Sequence, residues 1–149
     1  MRSLPNSLRR PLPTAQEGSA IVEFIFLAVL LMVPVAYLIM TVGQVQGGAY
    51  AVVGAADQAA KVFVMQRDLP AAQLAAEQAV RLAVEDMGFD AGAAELTISC
   101  SAGCLTPGTT VSAHVRLRVE LPLVGAVPGI NANAATVDSM ATQKVGRFK

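Results

Sequence analysis

Tryptophan is absent from this 149-residue chain, and aromatic residues together make up only 5% of it. There is one histidine, and there are two cysteines. Charged residues are 15%, few for a soluble domain, while apolar residues reach 54%. Each shortage excludes something. With no basic face and so few aromatics, nothing points to a nucleic-acid partner. The lone His114 and two cysteines fall short of the about four ligands of a zinc site, so no metal is expected. No serine stands in a nucleophile-elbow pattern, and no Gly-rich phosphate loop occurs. Asp86, Asp90 and Glu95 are acidic neighbours without the alternation of a calcium loop, and read as a solvated face or turn. The expectation is therefore a protein without cofactor that is not an enzyme.

The most informative shortage is local. No charged residue occurs from Phe24 to Ala56. About 20 apolar residues at 1.5 Å rise cover a ~30 Å hydrocarbon core, and residues 20–42 suffice. Pro34 lies mid-run, where a membrane helix tolerates it with a local kink. Glu23 stands alone at the mouth of this run. Ionisable groups in such segments are costly and usually functional, although a carboxylate at a helix edge also reaches the headgroups by snorkelling. Arg2, Arg9 and Arg10 precede the run, and the first basic residue beyond it is Lys61. That asymmetry predicts a single-pass protein with its N-terminus cytoplasmic and its C-terminal head outside, in an oxidising space. Beyond residue 18 the chain is mildly acidic, with eight Lys/Arg against ten Asp/Glu. The leader itself carries Pro5, Pro11 and Pro13, which oppose helix and suggest disorder. A secretory n-region looks the same. A rival reading follows: a signal peptidase cut after Ala49, in Gly47-Gly48-Ala49, would release a secreted binding domain. An anchored binding domain is its close relative. Neither needs Glu23.

The stretch Glu17-Gly18-Ser19-Ala20-Ile21-Val22-Glu23-Phe24, ahead of an aliphatic run, resembles the processing site of a type IV prepilin. The aromatic after the glutamate resembles the short Flp-type pilins of tight-adherence (Tad) pili, and the TadE-like pseudopilins, or minor pilins, in particular. The resemblance implies cleavage by a prepilin peptidase between Gly18 and Ser19, with residues 1–18 as leader. It implies that Glu23 and Phe24 serve peptidase recognition, and that Glu23 pairs with the N-terminal amine of a neighbouring subunit. Its implied partners are the prepilin peptidase, other pilins or pseudopilins through the apolar helix, the Tad inner-membrane assembly platform, and the membrane. The function it implies is assembly of a Tad-type pilus.

The residues beyond the run have their own pattern. Val52, Ala56, Ala59 and Phe63 recur at helical spacing, which predicts one continuous helix from about Ser19 to Gln66. Its segment 19–43 would be transmembrane, and 44–149 would form the head. Gly43-xxx-Gly47 has the spacing of close helix–helix contact, and equally suits a flexible exit from the membrane. Asp68 and Pro70 are capping and first-turn residues for a second helix over 70–87. Ala76, Val80, Ala83 and Met87 would form its buried face. Glu77, Arg81 and Glu85 form a polar stripe at pairing distance. Gly88 stands where that helix should stop.

Strands are expected over about 95–145. Leu96–Ser99 is short and β-prone. Residues 110–121 alternate strictly, with Val111, Ala113, Val115, Leu117, Val119 and Leu121 on one side. That describes an antiparallel strand with one face on the core, for which the long helix is the natural cover. His114, Arg116, Arg118 and Glu120 fall on the other face, as solubilising charges or a subunit contact. A Pro/Gly-rich connection, Pro122 to Gly129, leads to a weaker strand around Ala135–Val145, and Val145–Lys149 reads as a polar tail. Cys100 and Cys104 flank three small residues. Outside the cytoplasm a disulfide pinning this turn is favoured; a reducing compartment would leave two thiols. The fold class is α+β: a long N-terminal helix, transmembrane in its first half, packed on a small antiparallel sheet in a pilin-like plan.

Overall fold

The computed structural model describes residues 16–121 and 134–147. The leader before residue 16, the Pro122–Gly129 connection and the last two residues of the tail lie outside the described residues. The fold is α+β. Helix α1 runs Gln16–Met65 and α2 runs Leu69–Asp86. After a single 3-10 turn at Ala91–Ala93 come strands β1 (Ala94–Cys100), β2 (Thr110–Glu120) and β3 (Ala134–Lys144). The long helix is unbroken, with Pro34 inside it. The chain divides into two compact units, up to Leu38 and from Ile39, within this one helix.

The first unit is the apolar part of α1. Among the described residues its most apolar window is wholly unburied, and the helix is long and apolar enough to cross a membrane. It is apolar all round, with Ile21, Phe24, Phe26, Leu30, Leu31 and Val35 all exposed, the signature of a helix meant for an apolar surround.

The second unit is the head. Its sheet has the order β1-β2-β3, antiparallel throughout. β2 is central, so the strict alternation in its sequence becomes full burial of Val111, Ala113, Val115, Leu117 and Val119. Buried against them are Ala51, Val52, Ala55, Ala56, Ala59, Ala60 and Phe63 of α1 and Ala72, Ala76, Val80 and Val84 of α2. The alanine-rich stripe of α1 combines high helix propensity with a thin side-chain layer, which lets the helix lie close to its neighbours. Gly48 carries this furthest: a Cβ there would come within 2.5 Å of Val119 Cγ2 and 3.3 Å of Val137 Cγ2.

α2 is delimited as its sequence demands. The Asp68 carboxylate accepts from the Ala71 amide at 2.8 Å, and Pro70 occupies the first turn. At the far end Gly88 adopts φ +80°, open to glycine without steric cost. Its amide donates to the Glu85 carbonyl, and the Phe89 amide to the Val84 carbonyl, the paired bonds of a Schellman stop. Two expectations need correction here. The helix ends at Asp86, so Met87 is the C-cap and is 48% exposed, outside the buried face. Arg81 forms no ion pair with Glu77 or Glu85; Gln73 donates to Glu77 instead. Among the described residues an i,i+4 ion pair lies instead on α1, between Asp57 and Lys61 at 2.7 Å.

The last strand runs Ala134–Lys144, and Val145 beyond it belongs to the core, 1% exposed, not to a polar tail. Its amide donates to the Thr109 carbonyl and its carbonyl accepts from Gly108, so the ladder continues past the strand.

Candidate functional site

α1 includes Gly18 and Ser19 within its bounds, so the cleavage point expected from sequence and the residues after it share one helix. Ser19 and Glu23 are four residues apart and therefore on one face. Ser19, Glu23 and Phe24 are all exposed. Glu23 makes no ion pair or hydrogen bond among the described residues. Glu23 lies seven residues beyond the helix start at Gln16, past the first turn in which the helix dipole favours a carboxylate. Further along, Phe26, Val29, Leu30, Val33 and Pro34 line a shallow, almost purely apolar hollow on the helix surface.

The head places its other expected residues as follows. Cys100 and Cys104 form a disulfide, with Cα atoms 5.2 Å apart. It closes the start of the β1–β2 connection, beside the Ser101–Thr110 backbone bond. His114 lies on the outer sheet face, as its alternation requires, and its Nε2 is 2.9 Å from Asp138 Oδ2 of β3. That partner is 24 residues away in sequence, and only the β2–β3 register brings it close. Arg116, Arg118 and Glu120 are exposed on the same face. Asp90 is committed to the 3-10 turn, accepting from Gly92 at 2.9 Å. No group of three or more His, Cys, Asp or Glu side chains able to hold a metal occurs among the described residues.

The glycines of α1 behave differently from one another. Gly47 faces the ring of Phe89, 3.5 Å from where its Cβ would be, while Gly43 has open space. Gly47 therefore serves a contact inside the head. Gly48, read from sequence only as part of a flexible exit or cleavage site, lies where a side chain on α1 would collide with Val119 and crowd Val137. The signal for Phe89 was the residue after a helix-stopping glycine, which commonly folds back as an apolar lid on the last turn.

One concavity of the head combines charges from several elements. β1 begins at Ala94, opposite Leu117, whereas β2 continues to Glu120. Arg118, Val119 and Glu120 thus have no strand beside them on that side. The notch is a groove of about 400 Å³ lined by Gln44, Phe89, Asp90, Arg118, Glu120 and Leu121, among others. No family of known proteins, no curated protein and no solved structure matches this chain.

Proposed function

We propose that this chain is a TadE-like minor pilin or pseudopilin, cleaved between Gly18 and Ser19 and assembled through its apolar helix into, or at the base of, a Tad-type type IV pilus. The observation that carries the reading is Glu23: a solitary, exposed carboxylate at the head of an uncovered apolar helix, five residues after a glycine and followed by Phe24. Cleavage after Gly18 creates an α-amine at Ser19. That amine is a cation placed at the same helix end as Glu23, suited to pair across two packed copies. In lipid the surround is as apolar as the helix, so side-chain packing and such polar pairs must supply the specificity of association. The partners are the prepilin peptidase, like helices and the inner-membrane assembly platform. The head lies outside the cytoplasm, where its disulfide is stable. The role is recognition and assembly, without catalysis.

The burial of Gly48 beneath Val119 speaks against a signal-peptidase cut after Ala49. Such a cut would strip Gln44, Gly47 and Gly48 from the head and leave its core helix starting at Tyr50. The mature N-terminus distinguishes the readings. Intact mass and N-terminal peptide mapping of protein from native membranes should give a chain beginning at Ser19. A chain beginning at Tyr50 would establish a secreted domain, and one retaining Met1 a plain anchor.

A further inference from the structure

We propose that the groove beside Gln44 binds the headgroup of an amine-bearing zwitterionic phospholipid, with Arg118 on the phosphate and Glu120 and Asp90 toward the ammonium. The proposal rests on α1 being a membrane anchor, and the experiment below separates the two.

Position is the first argument. Ile39, Met40 and Val42 are exposed apolar residues that immediately precede Gln44 on the same helix. At 1.5 Å per residue, Gln44 stands about 3 Å along the axis from Val42. A groove at this level of an anchored protein opens on the headgroup layer, not on bulk water.

The second argument is chemical. Arg118 lines the groove and makes no ion pair among the described residues. A guanidinium presents a planar fork of donors that matches a phosphate. Glu120 also lacks an ion pair among the described residues, and Asp90 has spent one carboxylate oxygen on Gly92. One cation beside two carboxylates repels a purely anionic headgroup but complements a phosphate that carries its own primary ammonium, whose N–H groups donate to carboxylates as the quaternary ammonium of phosphatidylcholine does not. The Gln44 amide adds a neutral donor and acceptor. The groove exists because β1 is shorter than β2 at this end, so the site is built by the strand register and not by a flexible surface alone.

The test uses the full chain reconstituted into vesicles containing phosphatidylethanolamine or, separately, phosphatidylglycerol in a phosphatidylcholine background. Amide hydrogen exchange is followed over 88–94 and 117–121. We expect exchange about tenfold slower with phosphatidylethanolamine than with phosphatidylglycerol, as one charge-assisted hydrogen bond of ordinary strength provides. Arg118→Gln should abolish the difference. Arg116→Gln, on the same strand face but outside this groove, should preserve it. Glu120→Gln should reduce the preference between the two lipids. Equal exchange in both lipids, faster exchange with phosphatidylethanolamine, or an indifferent Arg118→Gln in a chain that resists alkaline extraction overturns the proposal. Release of the chain by alkaline extraction defeats the anchor reading, and the groove assignment with it.

Discussion

At the scale of single residues, polar side chains earn different weights according to what they touch. Asp68 satisfies one of the orphan amides at the start of α2. Asp68→Ala should therefore destabilise the head by about 1 kcal/mol, seen as a lower unfolding midpoint of the full chain in detergent; an unchanged midpoint would show that Pro70 alone suffices to start the helix. The His114–Asp138 pair is nearly as short, at 2.9 Å, but Asp138 is more than half exposed, and surface pairs of this kind contribute about 0–1 kcal/mol. It aligns two strands more than it stabilises them. Leu117 stands at the other extreme. It is fully buried on the middle strand, and Leu117→Ala should cost about 2–5 kcal/mol in the same unfolding measurement. A cost below 1 kcal/mol would mean that the α1 alanine stripe collapses into the space.

At the scale of elements, α1 shows how one helix meets two requirements. Its first half needs only to be apolar. Its second half needs one face that is thin as well as apolar. Gly48 and Gly54 separate these demands. Alanine is the better helix former by about 0.5–1 kcal/mol. Gly54 has open space around its Cβ position, so Gly54→Ala should stabilise the head by roughly that amount. Gly48→Ala should destabilise it, because the methyl meets Val119 and Val137 in a packed core, and overpacking costs about 1–3 kcal/mol. Thermal unfolding of both variants side by side checks the sign; Gly48→Ala gaining stability would show that the sheet yields freely. The β1–β2 connection is a second case. Its disulfide closes a ring of only five residues, worth about 2 kcal/mol in the chain-entropy account. Replacing both cysteines by serine should cost that much. Faster amide exchange should stay confined to residues 100–110; exchange spreading into α2 would make the disulfide a support of the whole core.

At the scale of the whole molecule, the proposed function makes Glu23 an intermolecular residue. Glu23→Ala should leave processing at Gly18 possible while pilus assembly per cleaved subunit falls well over tenfold. The neighbour's amine then stays unpaired in an apolar surround, a loss of about 3–5 kcal/mol for a broken buried pair. The measurement is the amount of sheared filament against the amount of cleaved subunit in the membrane. Normal filament from Glu23→Ala cells would remove the pairing from the mechanism.

Much of this arrangement was legible in the chain because it is local. A charge-free run from Phe24 to Ala56 requires an apolar surround whatever follows it. Strict alternation over 110–120 commits five side chains to one face. Gly88 after a helical pattern stops α2, and the spacing of Val52, Ala56, Ala59 and Phe63 locates the buried stripe of α1. Each is a repeat of 2.0 or 3.6 residues, or a single backbone preference, and needs no knowledge of distant residues. What tertiary structure decided is pairing across the chain. Only the strand register sets Asp138 against His114, leaves Arg118 and Glu120 overhanging β1, and draws Val145 into the core beside Thr109. Only the close approach of α1 to β2 makes Gly48 indispensable while Gly43 and Gly54 stay free. Local patterns determine which face of each element is buried; which residue meets which depends on how far each strand slides past its neighbour, and that is settled when the packed core closes.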